Sequence, residues 1–412
     1  MLSFLLLIVL LAMPLSSAEP TIIGLERIDE FHHLFANKRV GLVINQTSLN
    51  RSGEHITDIF LKLLNVEVTA LFGPEHGVRG QAADGDRIGD EFDETEKIPI
   101  YSLYGKTKKP TLEMLENVDL LVFDMQDIGV RFYTFVWTMY LVMHAAAENG
   151  VPIVVLDRPN PIGGPVEGPL LQPNFVSFVG LKPLPVRHGM TIGELAALFN
   201  DEGWLGDHLC ADLTVIPMKN WHHDMWYDET GLAFTPPSPN MPNLETAAVY
   251  PGLCLLEGTN VSEGRGTDAP FLTFGAPWID GTALCQALKA LKLPGVDFQP
   301  VSFTPRSIPG KARHPKFENQ RCKGAHIIVT GRDSLNAFSM GLSVIRLLHE
   351  MYPDSFRFRS DGHFDLLCGT DSIRKAIEKG ASVQELEKLW MDDLNDFAKL
   401  RKKYLIYPEN EG

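Results

Sequence analysis

Four short apolar runs in the N-terminal half constrain the fold more than any other feature. They are residues 39–45 (RVGLVIN), 66–72 (VEVTALF), 119–123 (DLLVF) and 151–156 (VPIVVL), each rich in aliphatic, mainly β-branched, side chains. Runs this short are strands, and their near-continuous apolarity means that both faces are covered. Residues 134–149 read as a buried helix closed by Gly150. Strands alternating with helices, joined by right-handed crossovers, give an α/β fold with a doubly wound parallel sheet.

Around this unit the chain divides. Residues 1–18 begin with an almost wholly apolar stretch that ends in Ser16, Ser17 and Ala18, the pattern of a secretory leader cleaved after Ala18. The stretch is shorter than the ~20 apolar residues of a spanning helix, so no stable membrane insertion is expected after cleavage. Thr191 and Glu194 form a capping box for a helix running to about Gly203. The proline-rich, aperiodic segment 235–252 marks a boundary between a sheet domain over 19–240 and a smaller α+β domain over 241–412. In the latter, 326–330 reads as a strand, 336–352 as a helix, Asp371 as the start of another, and Ser382 with Glu385 as the cap of the last helix.

A net charge of −15 gives no attraction to a phosphate backbone, and no nucleic-acid partner is expected. Five scattered cysteines, with no C-x-x-C pair, argue against a zinc site. Neither a phosphate-cradling loop nor a nucleophile elbow is present, and no cofactor is expected.

Each of the four strands runs into a polar cluster, and in a parallel sheet those carboxyl ends share one edge, where open α/β folds bind ligands. The first enters Asn45 and the second Gly73-Pro74-Glu75-His76-Gly77. The third enters Asp124-Met125-Gln126-Asp127, then Arg131 and Tyr133, and the fourth Asp157, Arg158 and Asn160. A glycine-rich polar loop, 257–268, adds Glu257, Asn260 and Arg265. Single residues of this kind are most often turn or helix caps; four clusters on one edge point to a site. Glu75 is the proton-donor candidate, since partial withdrawal from water favours the protonated form of a carboxyl. Neighbouring His76 would orient substrate or tune it. Arg131 and Arg158 would clamp an anionic group, unless they pair with Asp127 or Asp157, and Tyr133 would offer a face to a sugar ring.

The strings GPEHGVRG (73–80), DMQDIGVRFYTF (124–135), DRPNPIGG (157–164), RHGMT (187–191) and EGTNVSEGRGT (257–267) resemble, in order, those of the DUF1343 family, which is associated with NamZ-type exo-β-N-acetylmuramidases of glycoside hydrolase family 171. The resemblance implies a Rossmann-like N-terminal domain, a smaller C-terminal domain and a cleft between them. It also implies removal of terminal N-acetylmuramic acid from the non-reducing ends of peptidoglycan fragments, with Glu75 as general acid. Asp127 is the candidate second carboxylate, activating water, attacking the sugar, or orienting the substrate's acetamido group. Arg131, Arg158 or Arg265 would meet the sugar's lactyl carboxylate, and Asn45, Gln126, Tyr133, Asp157, Asn160, Glu257 and Asn260 would complete the substrate site. A cell-wall substrate (muropeptides or short saccharides) fits an exported protein, periplasmic or extracellular. Two other readings use the same residues: a metal-dependent hydrolase with Asp124, Asp127, Asp157 and His76 as ligands, and a non-catalytic muropeptide-binding protein.

Overall fold

The computed structural model describes residues 19–75, 77–80, 91–93, 97–206 and 208–409. The four apolar runs form β1 (Lys38–Ile44), β2 (Val66–Gly73), β5 (Leu120–Asp124) and β6 (Ile153–Leu156). They are joined by β3 (Glu91–Asp93), β4 (Ile98–Ser102) and β7 (Leu213–Ile216) in one sheet of order β3-β4-β2-β1-β5-β6-β7. All neighbours in it are parallel except β3, which runs antiparallel to β4.

Alternation along β1 shows why that run is apolar throughout. Val40, Leu42 and Ile44 enter one buried cluster with Ile28, Phe35 and Phe60. Val43 enters the other, with Phe72, Phe123 and the helix Phe135–Asn149. With helices on both faces, a strand has no water-facing side to make polar. Gly150, at φ +64°, closes the helix Phe135–Asn149, and the expected capping box opens the helix Ile192–Asp201, which stops two residues short of Gly203.

The C-terminal half carries an antiparallel sheet of order β8-β10-β9, formed by β8 (Thr273–Ala276), β9 (Val296–Phe303) and β10 (Cys322–Val329). The expected strand 326–330 is the end of β10. Two expectations need correction. Ser382 caps the short helix Val383–Glu387, and the last helix is Met391–Arg401. The segment 235–252 is not irregular throughout: Asn243 caps a helix, Leu244–Leu253, whose residues from Thr246 onward are all buried. A helix covered on every side shows no hydrophobic stripe, and its Pro251 lies in the last turn.

The two halves share a core. One continuous cluster runs from Val43 and Phe123 to Phe274, Phe338 and Leu348. The helix Leu244–Leu253 crosses the helix Ala337–Met351 where Gly252 meets Gly341: a Cβ on Gly341 would stand 2.4 Å from Gly252 Cα. Gly341→Ala should therefore cost about 1–3 kcal/mol by overpacking. Urea denaturation measures it, and an unchanged midpoint would mean the helices can move apart freely.

Candidate functional site

In the sheet the chain proceeds from β1 through β2 to β4 on one side, then restarts with β5 on the other side of β1. The crevice beyond the carboxyl ends of β1 and β5 is thus a topological switch point. Asn45 and the segment Asp124–Asp127 stand at its rim, and the loop after β2 brings Glu75 beside it.

Three buried polar atoms at this rim have no hydrogen-bond partner among the described residues: Asn45 Nδ2, Gln126 Oε1 and Asp127 Oδ1. The rest of each side chain is fixed. Asn45 Oδ1 accepts from the Thr47 amide (2.9 Å) and hydroxyl (2.6 Å). Gln126 Nε2 donates to the carbonyls of Asp127 (2.8 Å) and Pro159 (2.7 Å). Asp127 Oδ2 accepts from the Gly129 amide (2.7 Å) and lies 3.5 Å from His188 Nε2. Gly129 has φ +82° and packs on Asn160 so closely that no Cβ fits. A buried polar atom without a partner costs about 1–3 kcal/mol, so three on one rim mark a surface built to receive polar groups.

Glu75 is half-buried. Its Oε2 accepts from the Thr134 hydroxyl (2.9 Å), and the Tyr104 hydroxyl bonds to the same carboxylate. Its charge is also felt by Lys108, Tyr133 and Arg265. Burial drives the Tyr133 hydroxyl well above the usual tyrosine range, with the Asp127 and Glu75 charges adding to it, so this group remains a neutral donor. Arg265 places two donors on one oxygen of Glu257 (3.0 and 2.8 Å), and burial lowers the arginine to about 10 while pushing Glu257 up.

Other expected ligand-binding residues are committed to the protein itself. Arg131 is fully buried and pairs with neither Asp127 nor Asp157. It donates to the carbonyls of Pro169 (2.8 Å), Leu184 (2.7 Å) and Leu367 (2.8 Å), so it ties loops together and does not clamp an anion. Arg158 pairs with Asp124 (Nη2 to Oδ2, 2.8 Å) beneath the rim. Asp157 accepts from Thr191 (2.8 Å), the Gly193 amide (2.8 Å) and Tyr407 (2.5 Å). Asn160 bridges the Met190 carbonyl and the Ile162 amide; Asn260 bridges the Ser355 carbonyl and the Arg357 amide. Asp124 and Asp157 are thereby also removed as metal ligands. His76 lies outside the described residues.

Four neighbours of Glu75 and Asp127 were not singled out by the sequence: Tyr104, Lys108, Thr134 and His188. The first two follow β4, whose short run IPIYS is interrupted by Pro99 and buried only at its ends, so no strand signal marks a carboxyl end beside them. Thr134 and His188 stand inside quoted motifs, but only their contacts set them apart.

The scaffold is doubly wound α/β, with Glu75 on the loop after β2 and Asp127 at the switch point, and its similarity to known proteins places it among the glycosidases. The chain belongs to the NamZ exo-β-N-acetylmuramidase family, matching its N-terminal domain over residues 40–245 and its C-terminal domain over 248–407. It is 50% identical over 381 residues to the peptidoglycan β-N-acetylmuramidase NamZ of Bacillus subtilis (strain 168), covering 92% of this chain and 89% of that protein. Two crystal structures of DUF1343 family proteins from Bacteroides fragilis NCTC 9343 are similar. One has TM-score 0.87 and 34% identity over 94% of this chain and 99% of that one; the other has 0.78 and 37% over 95% and 100%. The expected family and fold are borne out.

Asp157 supplies a pH test. Burial raises its carboxyl to about 7, the Tyr407 hydrogen bond opposing and the Glu194 charge adding. The folded chain thus holds a proton that the unfolded chain, with the ordinary value of 3.8, releases. That contribution to stability is complete below the unfolded value and is lost as pH rises through the folded one. Wild-type Tm should fall between about pH 5 and about pH 8 by more than that of Asp157→Asn. Calorimetry giving both proteins the same pH slope would refute it.

Proposed function

We infer that this chain is an exo-acting β-N-acetylmuramidase that removes terminal N-acetylmuramic acid from the non-reducing ends of peptidoglycan fragments. The observation that carries the reading is the 50% identity to a peptidoglycan β-N-acetylmuramidase across nearly the whole of both chains. The site chemistry accords with it. Glycoside hydrolysis commonly uses one carboxyl to protonate the leaving oxygen and a second group to act on the anomeric side. Glu75 is the proton donor: it is half-buried on a tight loop, with two hydroxyl neighbours that can follow its protonation state. Asp127 is the second carboxylate. The Gly129 amide and His188 hold Oδ2, which leaves Oδ1 to meet substrate or water. Tyr133, Asn45 and Gln126 offer neutral donors and acceptors to sugar hydroxyls and the acetamido group.

The substrates are saccharides or muropeptides ending in N-acetylmuramic acid. The apolar leader of residues 1–18 supports export to the periplasm or the medium, where such fragments arise.

Protein lacking residues 1–18, assayed on a chromogenic β-N-acetylmuramide, should release the chromophore. Glu75→Gln and Asp127→Asn should each lower kcat by about 10²–10⁴-fold, with binding of N-acetylmuramic acid retained in calorimetry. Full activity in Glu75→Gln would remove it as the donor. Binding without turnover in the wild type would turn the reading to a muropeptide-binding protein.

A further inference from the structure

N-acetylmuramic acid differs from N-acetylglucosamine by one group, the lactyl ether with its carboxylate, so selective recognition calls for a cation with donors to give. The arginines at the edge of the site do not qualify. Arg131 is committed to three carbonyls and Arg158 to Asp124, and the charge of Arg265 is already opposed by two carboxylates, Glu257 (2.8 Å) and Glu263 (3.7 Å). Lys316 is held by Glu263 (3.0 Å) and the carbonyls of Leu256 (2.7 Å) and Val261 (3.0 Å). Arg79, in the loop of Glu75, has a partner of its own.

Lys108 differs from all of these. It is exposed, and among the described residues no carboxylate oxygen is in ion-pair contact with it. Its ammonium lies 3.6 Å from the ring centroid of Phe178 and 5.6 Å from that of Tyr104, the ring whose hydroxyl bonds to Glu75. The platform beneath it is built. The two rings pack at 5.7 Å, and Phe178 rides a tight turn closed by paired hydrogen bonds (2.9 Å each) between Ser177 and Gly180. The Lys108 loop is pinned by Thr107, which donates to the Lys109 carbonyl (2.6 Å) and accepts from the Lys109 amide (3.1 Å). Aromatic faces hold a cation in place while leaving its N–H donors without acceptors. Partial burial lowers the ammonium, and the charge of Glu75 opposes this, so an added anion at this point is favoured.

We propose that Lys108, seated on Tyr104 and Phe178, binds the lactyl carboxylate of the terminal sugar and so sets selectivity for N-acetylmuramic acid over N-acetylglucosamine. This rests on the muramidase reading. Because the Tyr104 hydroxyl bonds to Glu75 and its ring lies under Lys108, one side chain links the proton donor to the cation.

The test uses steady-state hydrolysis of the chromogenic β-N-acetylmuramide, with free N-acetylmuramic acid and N-acetylglucosamine as competitive inhibitors. Lys108→Met should raise KM and the inhibition constant of N-acetylmuramic acid by about tenfold to a hundredfold, the worth of a charge-assisted hydrogen bond. kcat and the inhibition constant of N-acetylglucosamine should stay near the wild-type values, and Lys108→Arg should restore most of the selectivity. An active wild type whose Lys108→Met variant keeps the same inhibitor ratio would overturn the proposal and leave the muramidase reading intact. So would loss of selectivity in Arg79→Met with none in Lys108→Met. A wild type inactive on the muramide would overturn both.

Discussion

The guanidinium of Arg131 is the interaction on which the geometry of the site depends. It is fully buried, no carboxylate faces it, and burial lowers it only to about 10, so it is charged at neutral pH. A charge in that position is tolerated only when strong hydrogen bonds offset its lost hydration. Three carbonyls supply them, two from the loops after β6 and one, Leu367, from the C-terminal half. The backbone of the same residue is also fixed: its amide donates to Val186 (2.8 Å) and its carbonyl accepts from Trp137 Nε1 (2.7 Å). Tyr133 and Thr134 follow directly. The position of Thr134 Oγ1, and through it of the Glu75 carboxylate, is therefore inherited from a buried charge held by backbone carbonyls.

The same logic explains what was legible in the sequence. β1, β2, β5 and β6 could be read because burial on both faces leaves no polar position in the run. β9 could not: it is an edge strand of a small sheet, half exposed, with Pro300 in its middle. An edge strand tolerates proline and alternates weakly. The strand-end polar clusters pointed to the crevice at the switch point, because that inference depends only on parallel topology. They did not divide binding residues from framework. Arg158 finds Asp124 34 residues away and Arg131 finds Leu367 236 residues away. No local pattern tells whether a polar side chain turns toward such a partner or toward the crevice.

The two halves also depend on each other through the tail. Tyr407 donates to Asp157 and accepts from the Met218 amide (2.8 Å), while Arg401 holds the carbonyls of Gly164 (2.7 Å) and Gly189 (2.6 Å). Gly189 adjoins His188, the neighbour of Asp127. The segment 401–407 thus braces the turn that places His188 beside Asp127. The sheet domain by itself would present Asp157 and the turn after Arg187 without that bracing.

A proton donor must be stable in both of its charge states within one turnover, and its neighbours must suit both. Hydroxyls can, since each either donates or accepts by rotating. A guanidinium cannot, since it only donates and would hold the carboxylate ionised. Thr134 and Tyr104 both bond to Glu75, and the charge of Arg265, itself paired with Glu257, is felt there. Glu257 thus holds the Arg265 guanidinium in place, and with it a positive charge that reaches Glu75.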